Sequence, residues 1–513
     1  MSEPADPPEG TGATTEPPEG ERPEHVLAVR REKLERLRAR GTDPFALRFD
    51  RDALAAEIQE KFGELEAGAS TGQIVKVAGR VLALRRHGKL AFAVLRDTSG
   101  HIQLFLADDT LDPEGAALVE DLDLGDWVGA EGEVVKTKRG ELSVRPTRLT
   151  LLSKSLRPMP EKWHGLRDVE LRYRRRYLDL ATNAQVAELV RARARMLASF
   201  RRYLDDRSFI EVETPILQAV PGGGLARPFV THHEALDIDM YLRIAPELYL
   251  KRLLVGGLER VYEIGRTFRN EGISPRYNPE FTMLEAYQAF ASYEDMMDLV
   301  EGLVKGAALA VNGSLAFELL GRRIDLELPW PRRTLIDLVS ERVGRDLSLD
   351  LSITEIQKVA DQHGVSYDPK WGPGKLLLEL FEKLVEEELI EPAIVKDFPR
   401  EVSPLARTHR HDPRLTEHFD LILGGVEIAP AYSELNDPDE QRRRFEMQQA
   451  QKAAGAEETH PFDEDFLVAL EHGMPPAGGL GLGVDRLLML LTDSPSLREV
   501  ILFPALRPED PSS

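Results

Sequence analysis

Between Ile74 and Leu152 the chain consists of short β-rich segments separated by turn residues. Five of them follow one another within about 80 residues: "IVKVAGRVLAL", "KLAFAVLRD", "GHIQLFLAD", "DWVGAEGEVVKT" and "GELSVRPTRLTLL". β-branched and aromatic residues broken by Gly or Asp are typical of strands joined by tight turns. Five strands in so short a stretch predict a small β-barrel over residues 70–153, although some other small barrel or sheet also fits this pattern.

A five-stranded OB-fold is the usual candidate for such a barrel, and it binds oligonucleotides on one face. Residues 1–22 are acidic and proline-rich, which predicts a disordered tail because such a segment buries too little apolar surface to fold. Residues 23–69 are predicted to form a helical segment, since Leu27, Leu34 and Leu37 recur near helical spacing.

The C-terminal part of the chain, residues 183–513, mixes helices and strands and predicts an α+β domain. "FIEVETPIL" is interpreted as a strand that Pro215 ends or places at an edge. "SYEDMMDL" opens an apolar helix with Ser292 and Asp295 at the spacing of a capping box, and residues 349–391 are predicted as a helical insertion. In the amphipathic pattern "VAELVRARARMLASFRRYLDD", the stripe that we expect on one side comprises Val190, Ala194, Leu197 and Leu204.

The composition excludes several function classes. With 513 residues, 42% hydrophobic and 30% charged, the chain can form two or three globular domains. No run of about 18 apolar residues occurs, so we expect no membrane segment, and the N-terminus lacks the apolar core of a secretory signal. The absence of cysteine excludes disulfides, thiolate zinc sites and a cysteine nucleophile, and it fits a cytoplasmic location.

The net charge of -22 argues against a simple basic nucleic-acid-binding protein. Residues 154–182, which we interpret as a basic linker, depart from this balance with the run "LRYRRRYL". Such a run is either a solvated linker or a contact to a nucleic-acid backbone.

A carboxylate interrupts the apolar stripe of the segment "EFTMLEAYQAF". In a strand Phe281, Met283, Glu285 and Tyr287 share one face, because side chains alternate between the two faces. A buried carboxylate is unfavourable unless a cation meets it. Glu285 therefore requires either a cation of the protein or a cationic ligand.

Just before this strand, "RTFRNEGISPRYNP" concentrates cationic side chains. Arg269 with Phe281 suits a nucleotide, since a guanidinium pairs with a phosphate and an aromatic face accepts a base. A surface loop held by salt bridges is the alternative. In "GGLGLGVDRLLMLL" alternating glycines favour a strand with close backbone approach, and Arg486 at the start of the next helix is placed to meet an anion.

Three acids recur at intervals of seven in "HFDLILGGVEIAPAYSELNDP": Asp420, Glu427 and Glu434. The first two are candidates for magnesium, a hard ion that prefers carboxylates and substrate phosphates. Each acid taken singly is also compatible with a solvated face. Together with the two segments above, they describe a nucleotide-activating site.

These segments resemble the signature motifs of class II lysyl-tRNA synthetases. "FIEVETPIL" is similar to motif 1, "FRNEG" followed by "NPEFTMLEAY" to motif 2, and "GLGLGVDR" to motif 3. "PGGGLARPF" and "RIAPELYLKRLLVGGLERVYEIGRTFRNEGIS" resemble the lysine-type signatures, and the resemblance runs from about His25 to Pro508. It implies ATP-dependent attachment of L-lysine to tRNA(Lys) through a lysyl-adenylate, in a catalytic domain with an antiparallel sheet flanked by helices.

The resemblance also implies roles for individual residues. Arg269 and Arg486 are the expected catalytic residues, and Asp420 and Glu427 match acids that bind Mg²⁺. ATP binding is expected of Arg269, Glu271, Asn278, Phe281 and Arg486. Lysine binding is expected of Gly223, Glu247, Arg269, Glu285, Tyr287, Glu434 and Gly481.

On this hypothesis the cation that Glu285 requires is the ε-ammonium of the substrate, held also by Tyr287 and Glu434. Glu247 holds the α-amino group. We therefore expect these acids not to be neutralised by cations of the protein itself.

For the barrel, the resemblance implies recognition of the tRNA anticodon by Arg85, Phe92, Gln103 and Glu141. Phe92 is then a stacking platform for a uracil, whereas an ordinary core aromatic is the alternative. The basic residues 172–176 are expected to follow the tRNA backbone. Motif 1 forms the subunit interface in this family, which implies a homodimer.

Two positions depart from the family pattern: Pro430, where Asn is frequent, and Tyr277, where His is frequent. Three alternatives stay open. An aspartyl- or asparaginyl-type class II synthetase is disfavoured by the acidic pocket, and a lysine-activating enzyme with a non-tRNA acceptor by the barrel. A non-catalytic RNA-binding relative is disfavoured by the intact Arg269 and Arg486.

Overall fold

The computed structural model describes residues 23–160, 166, 168–453 and 460–508. The chain divides into two compact units, which meet between Arg167 and Asp168 in the sequence. The predicted disordered tail, residues 1–22, lies outside the described residues, as does part of the predicted linker.

The first unit is a closed five-stranded barrel with additional helices. Its elements are α1 (Pro23–Ala39), α2 (Ala55–Phe62), β1 (Ser70–His87), β2 (Leu90–Arg96), β3 (His101–Ala107), α3 (Pro113–Asp121), β4 (Trp127–Lys136) and β5 (Leu142–Ser153). The strands pair in the order β1–β2–β3–β5–β4, with β3 and β5 parallel. Inward-facing residues such as Val81, Leu95 and Leu104 fill the barrel. The predicted OB-fold is confirmed.

Helix α3 lies between β3 and β4, in a part of the barrel for which our sequence analysis predicts strands only. Pro113 occupies its first turn, and the Asp112 carboxylate accepts the backbone N–H of Gly115 at 2.7 Å. Both features are ordinary signals of a helix start. Asp112 and Pro113 therefore predict a helix at this position in the sequence.

The second unit is built around one large sheet. Its elements up to the insertion are α4 (Val169–Arg174), α5 (Arg176–Thr182), α6 (Ala184–Asp205), β6 (Ile210–Glu211), β7 (Leu217–Gln218), β8 (Val230–His233), β9 (Ile238–Leu242), α7 (Glu247–Val255), β10 (Arg260–Phe268), β11 (Glu280–Ala289), α8 (Tyr293–Asn312), β12 (Ala316–Leu319), β13 (Arg322–Asp325), β14 (Arg332–Thr334) and α9 (Leu335–Val343). It continues with α10 (Ile353–Gln362), α11 (Pro373–Leu384), β15 (Ala393–Pro399), β16 (Leu415–Leu423), β17 (Val426–Ser433), α12 (Pro438–Ala453), α13 (Glu464–Glu471), β18 (Ala477–Gly483), α14 (Val484–Leu491) and α15 (Leu497–Val500).

The eight strands of this sheet follow the order β14–β15–β16–β17–β18–β11–β10–β6. The two edge strands pair in parallel with their neighbours, and the internal pairs are antiparallel. The predicted α+β domain with an antiparallel sheet flanked by helices is confirmed.

The two faces of the sheet differ in what they bury. On one face Leu284, Ala286 and Leu480 pack against α6 and α8 through Phe200 and Met296. On the other face of β11 lie the alternate residues, including Glu285 and Tyr287. Helices α7, α12 and α13 pack beside Tyr287 in a separate apolar cluster. The sheet thus has its main core on one side, and on the other side it combines a smaller apolar cluster with the polar side chains of the candidate site.

The buried face of α6 is rotated by part of a helical turn from the apolar stripe that the sequence predicts. The buried residues of the helix include Val186, Ala192, Met196, Phe200 and Leu204, whereas Ala194 is exposed and Val190 and Leu197 are half-buried. Arginines lie between the apolar positions along α6, so its sequence contains two alternative apolar stripes. Leu204 belongs to both of them. The packing against α8 selects the stripe that contains the larger side chains.

The predicted strand "FIEVETPIL" is much shorter in the structure. Only Ile210 and Glu211 pair with β10 as strand β6. Beyond them, the backbone N–H and the hydroxyl of Thr214 donate to the Glu263 carboxylate at 3.1 and 2.6 Å. This contact and Pro215 take the chain out of the ladder.

Two further local predictions concern the start of α8 and the insertion at residues 349–391. Ser292 and Asp295 form the predicted capping box at the start of α8. Within residues 349–391, α10 and α11 pack with α9 in an apolar cluster of their own that includes Leu377 and Phe381.

The arginine-rich end of the predicted linker is folded. Arg176 in α5 is fully buried and donates to the carbonyls of Leu502 and Arg498, while Arg172 bonds Glu499 at 3.0 Å. These two guanidinium groups are therefore engaged within the second unit, and the expected contact with a tRNA backbone does not apply to them.

Candidate active site

Glu285 lies in a buried acidic pocket on the polar face of β11. Its side chain is 3% exposed and accepts a hydrogen bond from the Tyr287 hydroxyl at 3.0 Å. Within the described part of the chain no Lys, Arg or His forms an ion pair with Glu285, and Arg243 instead pairs with Glu263. Burial raises the pKa of Glu285 well above its usual range, and the charge of Glu247 raises it further. Glu285 thus lacks the partner that the sequence shows it to need.

The other two pocket acids have such a partner. Lys251 Nζ lies 2.5 Å from Glu247 Oε1 and 2.5 Å from Glu434 Oε2, and all three side chains are buried. The expectation that no cation of the protein neutralises the pocket was therefore wrong for Glu247 and Glu434. Glu247 begins α7 and Lys251 follows one turn later, so helix geometry brings this pair together.

Glu434 combines an ion pair with missing hydrogen bonds. Although Lys251 Nζ contacts it, neither carboxylate oxygen has an aligned donor among the described residues. Burial raises the pKa of Glu434 to about 8, against the lowering effect of the Lys251 charge. Nearby, the Tyr432 hydroxyl donates to Glu247 Oε2 at 3.2 Å. The pocket therefore holds more acceptor oxygens than its own residues satisfy.

Glycines on β18 allow the side chains of these pocket residues to pack closely against the strand. Gly479 lies opposite Tyr287, and a Cβ at this position would collide with the Tyr287 ring and with Glu434 Oε1. Gly481, the predicted lining residue, lies opposite Glu285, and a Cβ at this position would meet no atom closer than 3.1 Å. The structure thus makes Gly479 the more constrained of the two positions.

Gly223 approaches the pocket from a loop. Its φ of 84° suits glycine, and a Cβ would lie 2.8 Å from the Cβ of Glu247. Its N–H donates to Nε2 of the buried His460 at 3.0 Å, whose ring stacks on Phe445. The loop that carries Gly223 therefore lies directly beside Glu247.

A cavity lies beside the first half of β11, where Phe281, Thr282 and Met283 line it. The Arg269 guanidinium lies 5.3 Å from the centroid of the Phe281 ring, and its buried Nε has no hydrogen-bond partner in the described chain. A guanidinium with an unused donor beside an aromatic face suits a phosphate and a base. The residues that line this cavity include Arg269, Glu271, Asn278, Phe281, Glu427 and Arg486.

The side chain of Asn278 is occupied by backbone contacts. Its Nδ2 donates to the carbonyl of Glu280 at 2.5 Å, and its Oδ1 accepts the N–H of Ala505 at 3.1 Å. Asn278 therefore holds the loop that lines the cavity, and its amide groups are not directed to a ligand in this state.

Arg486 reaches the same cavity from the first turn of α14. It donates to the backbone carbonyl of Glu427 at 2.8 Å, and its guanidinium lies 5.6 Å from the ring centroid of Tyr277. The tyrosine that departs from the family pattern therefore packs on an arginine of the cavity. Pro430, the other departure, lines the cavity without a side-chain hydrogen bond.

Glu427 on β17 lines this cavity, and Asp420 lies on the neighbouring strand β16. Burial raises the pKa of Glu427, and the Asp420 charge raises it further. His418 Nε2 lies 3.0 Å from Asp420 Oδ1, and burial with the charges of both acids raises the pKa of Glu386 to about 7. Hard oxygen donors that repel one another in this way fit a divalent cation such as Mg²⁺.

This donor set is incomplete by itself. The described residues contain no group of three or more His, Asp and Glu side chains arranged to hold a metal ion. An ion held by Asp420 and Glu427 would therefore take its remaining ligands from phosphate oxygens and water.

The barrel carries the predicted anticodon residues on its outer face. Phe92 pairs across the sheet with Arg85 on β1 and with Phe105 on β3, and the two aromatic rings meet edge to face at 5.3 Å. Gln103 donates to the Ser143 hydroxyl at 2.9 Å. Because Ala91 and Ala93 point inward and are buried, Phe92 is half-buried on the outer surface and is not a core aromatic.

Glu141 is exposed just before β5. Its carbonyl accepts the Ser143 hydroxyl at 3.2 Å, so it is tied to the strand that neighbours Gln103. Arg85, Phe92 and Gln103 thus lie on adjacent strands, Glu141 directly precedes the next strand, and Phe105 lies beside Phe92.

Sequence reasoning missed several residues of the site: Lys251, Tyr432, Gly479, His460 and Phe105. Lys251 was partly visible, because it follows Glu247 by one helical turn in "ELYLK". Tyr432 precedes Glu434 by two positions along the chain. They converge through side-chain contacts, from Tyr432 to Glu247 and from Lys251 to Glu434, between segments far apart in the chain, and no local pattern predicts such contacts.

Searches with family models give two matches. The model for class II tRNA synthetases (D, K and N) matches residues 168–507, and the model for the OB-fold nucleic acid binding domain matches residues 75–152. No helix in the described part of the chain combines the length and the hydropathy needed to cross a bilayer.

Curated relatives match nearly the whole chain. A lysine–tRNA ligase from Syntrophomonas wolfei is 53% identical over 94% of this chain and 96% of its own length. The corresponding proteins from Moorella thermoacetica and Staphylococcus aureus are 52% and 48% identical, each over 94% of this chain and 98% of its own length. The chain therefore belongs to the lysine–tRNA ligase family of class II tRNA synthetases.

Proposed function

We propose that this protein attaches L-lysine to tRNA(Lys) in two steps, with ATP as the activating substrate. The observation that carries the proposal is the buried Glu285, which has no ion-pair partner among the described residues and lies next to a cavity with two arginines. An amino acid with a side-chain ammonium supplies that partner. The similarity to lysine–tRNA ligases over most of the chain supports the same assignment.

In this proposal the acidic pocket holds both amino groups of lysine. Glu285, Tyr287 and Glu434 take the ε-ammonium, and Glu247 beside Gly223 takes the α-ammonium. Gly481 lines the same site, and Gly479 gives Tyr287 and Glu434 the space that they occupy beside β18. A substrate without the second ammonium leaves buried carboxylates unpaired, which costs about 2–5 kcal/mol.

The nucleotide lies along the neighbouring cavity. Phe281 stacks on the base, Arg269 contacts the α-phosphate and the lysine carboxylate, and Arg486 holds the other phosphates. Glu271 and Asn278 line the same space. The unused Nε of Arg269 supports this placement, because a buried donor without a partner is poised for an anion.

The chemistry requires positioning more than acid–base catalysis. An oxygen of the lysine carboxylate forms a bond to the α-phosphorus, and the bond from that phosphorus to pyrophosphate breaks. The nucleophile is already ionised at neutral pH, so no general base is needed. Arg269 and Arg486 orient the two reactants and stabilise the charge that develops on the phosphate.

The second step transfers the lysyl group. The terminal 3'-hydroxyl of tRNA attacks the carbonyl carbon of the adenylate, and AMP leaves. Asp420 and Glu427 are the residues that would hold Mg²⁺, which when bound neutralises phosphate charge.

We assign recognition of the anticodon to the outer face of the barrel. Phe92 and Phe105 offer aromatic surface for stacking, while Arg85, Gln103 and Glu141 supply polar groups for base edges. On this assignment residues 70–153 form the anticodon-binding domain and residues 183–513 the catalytic domain. Because tRNA charging for protein synthesis takes place in the cytoplasm, we propose a cytoplasmic location for the enzyme.

We also propose a homodimer. Apolar side chains are exposed around motif 1 and on the small sheet beside it: Ile210, Ile216, Leu217, Val230 and Ile238. Such a surface is typical of an isologous interface. Sedimentation velocity should give a dimer, and a fully active monomer would refute this part of the proposal.

The decisive experiment is ATP–pyrophosphate exchange with each of the twenty amino acids. Lysine alone should support strong exchange, and exchange with aspartate or asparagine would select the related synthetase types instead. Charging of tRNA(Lys) transcripts then tests the acceptor. Lysine-dependent exchange without tRNA charging would indicate an enzyme that lysylates another acceptor.

A further inference from the structure

Lys251 is a cation of the protein inside the amino-acid pocket. Its ammonium contacts carboxylates from two different elements, Glu247 on its own helix and Glu434 after β17. All three side chains are buried, and Lys251 itself is fully inaccessible. The proposed reaction assigns no chemical step to this residue.

The formal charges of the pocket are unequal. When all three are ionised, Glu247, Glu285 and Glu434 carry three negative charges against the single ammonium of Lys251, which contacts only Glu247 and Glu434. Two negative charges are then left for a cationic ligand, and in the empty pocket the raised pKa of Glu285 favours its neutral form. The buried Arg243 does not change this count, because it pairs with the buried Glu263. Lysine is an amino acid with two ammonium groups, and its own carboxylate is assigned to Arg269.

An ordinary helix-stabilising pair would have a different structure. The pair of Glu301 and Lys305 on α8 has the same i, i+4 spacing and a distance of 2.6 Å, but both side chains are partly exposed. Surface pairs of this kind contribute little to stability. Lys251 instead bridges a helix and a strand at the position where the substrate is proposed to bind.

We propose that Lys251 is a positioning residue that determines substrate specificity. Its ammonium holds the carboxylates of Glu247 and Glu434 in place and cancels one of the three negative charges. The pocket is then matched to a ligand that brings two positive charges. This inference rests on the proposed function and deepens it.

Removal of the Lys251 charge tests the proposal. Lys251→Met keeps most of the volume, and Lys251→Ala leaves space for propylammonium, the fragment that the substitution removes. Lys305→Met is the matched control. KM values for lysine and for ATP are measured separately by pyrophosphate exchange, together with melting temperatures.

Both Lys251 variants should raise the KM for lysine at least tenfold and change the KM for ATP less than twofold. Propylammonium should lower the lysine KM of Lys251→Ala at least threefold and should not lower that of the wild type. Lys305→Met should change neither KM. Rescue separates a local charge from general damage to the fold.

Three results would overturn the proposal. These are a lysine KM within twofold of the wild type in folded Lys251→Met, equal increases for lysine and ATP, or failure of both Lys251 variants to fold while Lys305→Met folds. In each case lysine-dependent exchange by the wild type would leave the proposed function intact. Its absence in the wild type would refute the proposed function itself.

Discussion

Replacement of Glu285 by Gln removes one charge of the pocket with almost no change of shape. Gln keeps an oxygen that can accept the Tyr287 hydroxyl, which now bonds Glu285 at 3.0 Å. Loss of one partner of a buried charge pair costs about 2–5 kcal/mol. Since 1.4 kcal/mol is tenfold, kcat/KM for lysine should fall about 30-fold to about 4,000-fold. The KM for ATP should change less than twofold.

The same substitution should leave the free protein stable. The raised pKa of Glu285 means that its neutral form is favoured in the empty pocket, and Gln resembles that form. We therefore expect an unchanged or higher melting temperature without lysine, and a smaller stabilisation by lysine. Glu280→Gln, at an exposed position of the same strand, is the control. Equal losses for lysine and ATP, or a large loss of stability without ligand, would refute this reasoning.

Three further changes test other parts of the site. The pKa of about 8 for Glu434 lies above its unfolded value, so its contribution to stability is lost as pH rises toward 8. Between about pH 4.5 and 8 the free protein should lose melting temperature, while the increase in melting temperature caused by lysine should grow. Gly479→Ala should raise the KM for lysine at least tenfold, because its Cβ would collide with the Tyr287 ring; normal lysine kinetics would contradict this packing. Phe92→Ala should reduce tRNA charging about 5- to 150-fold, from a lost stacking contact of about 1–3 kcal/mol, and leave pyrophosphate exchange unchanged.

Much of this protein follows from its sequence. The five closely spaced strands, the alternation that puts Glu285 and Tyr287 on one face, and the capping box at Ser292 are short-range patterns. Such patterns depend on backbone geometry and hydrophobic periodicity, both of which are local properties. The motifs that identify the family are likewise contiguous, so the sequence alone indicates the acids and arginines of the candidate site.

The tertiary structure decided which charges meet. Lys251 neutralises Glu247 and Glu434 but not Glu285, because its ammonium reaches the carboxylate that follows β17, while Glu285 lies between Glu263 and Gly481 in the sheet. The sequence leaves the role of the arginines of α4 and α5 equally ambiguous, and only the tertiary structure shows that Arg176 is buried. Ion pairing and burial depend on distances between segments far apart in the chain, and sequence patterns carry no information about those distances. The sequence therefore determined which chemical groups are present, and the packing determined which of them are left for a ligand.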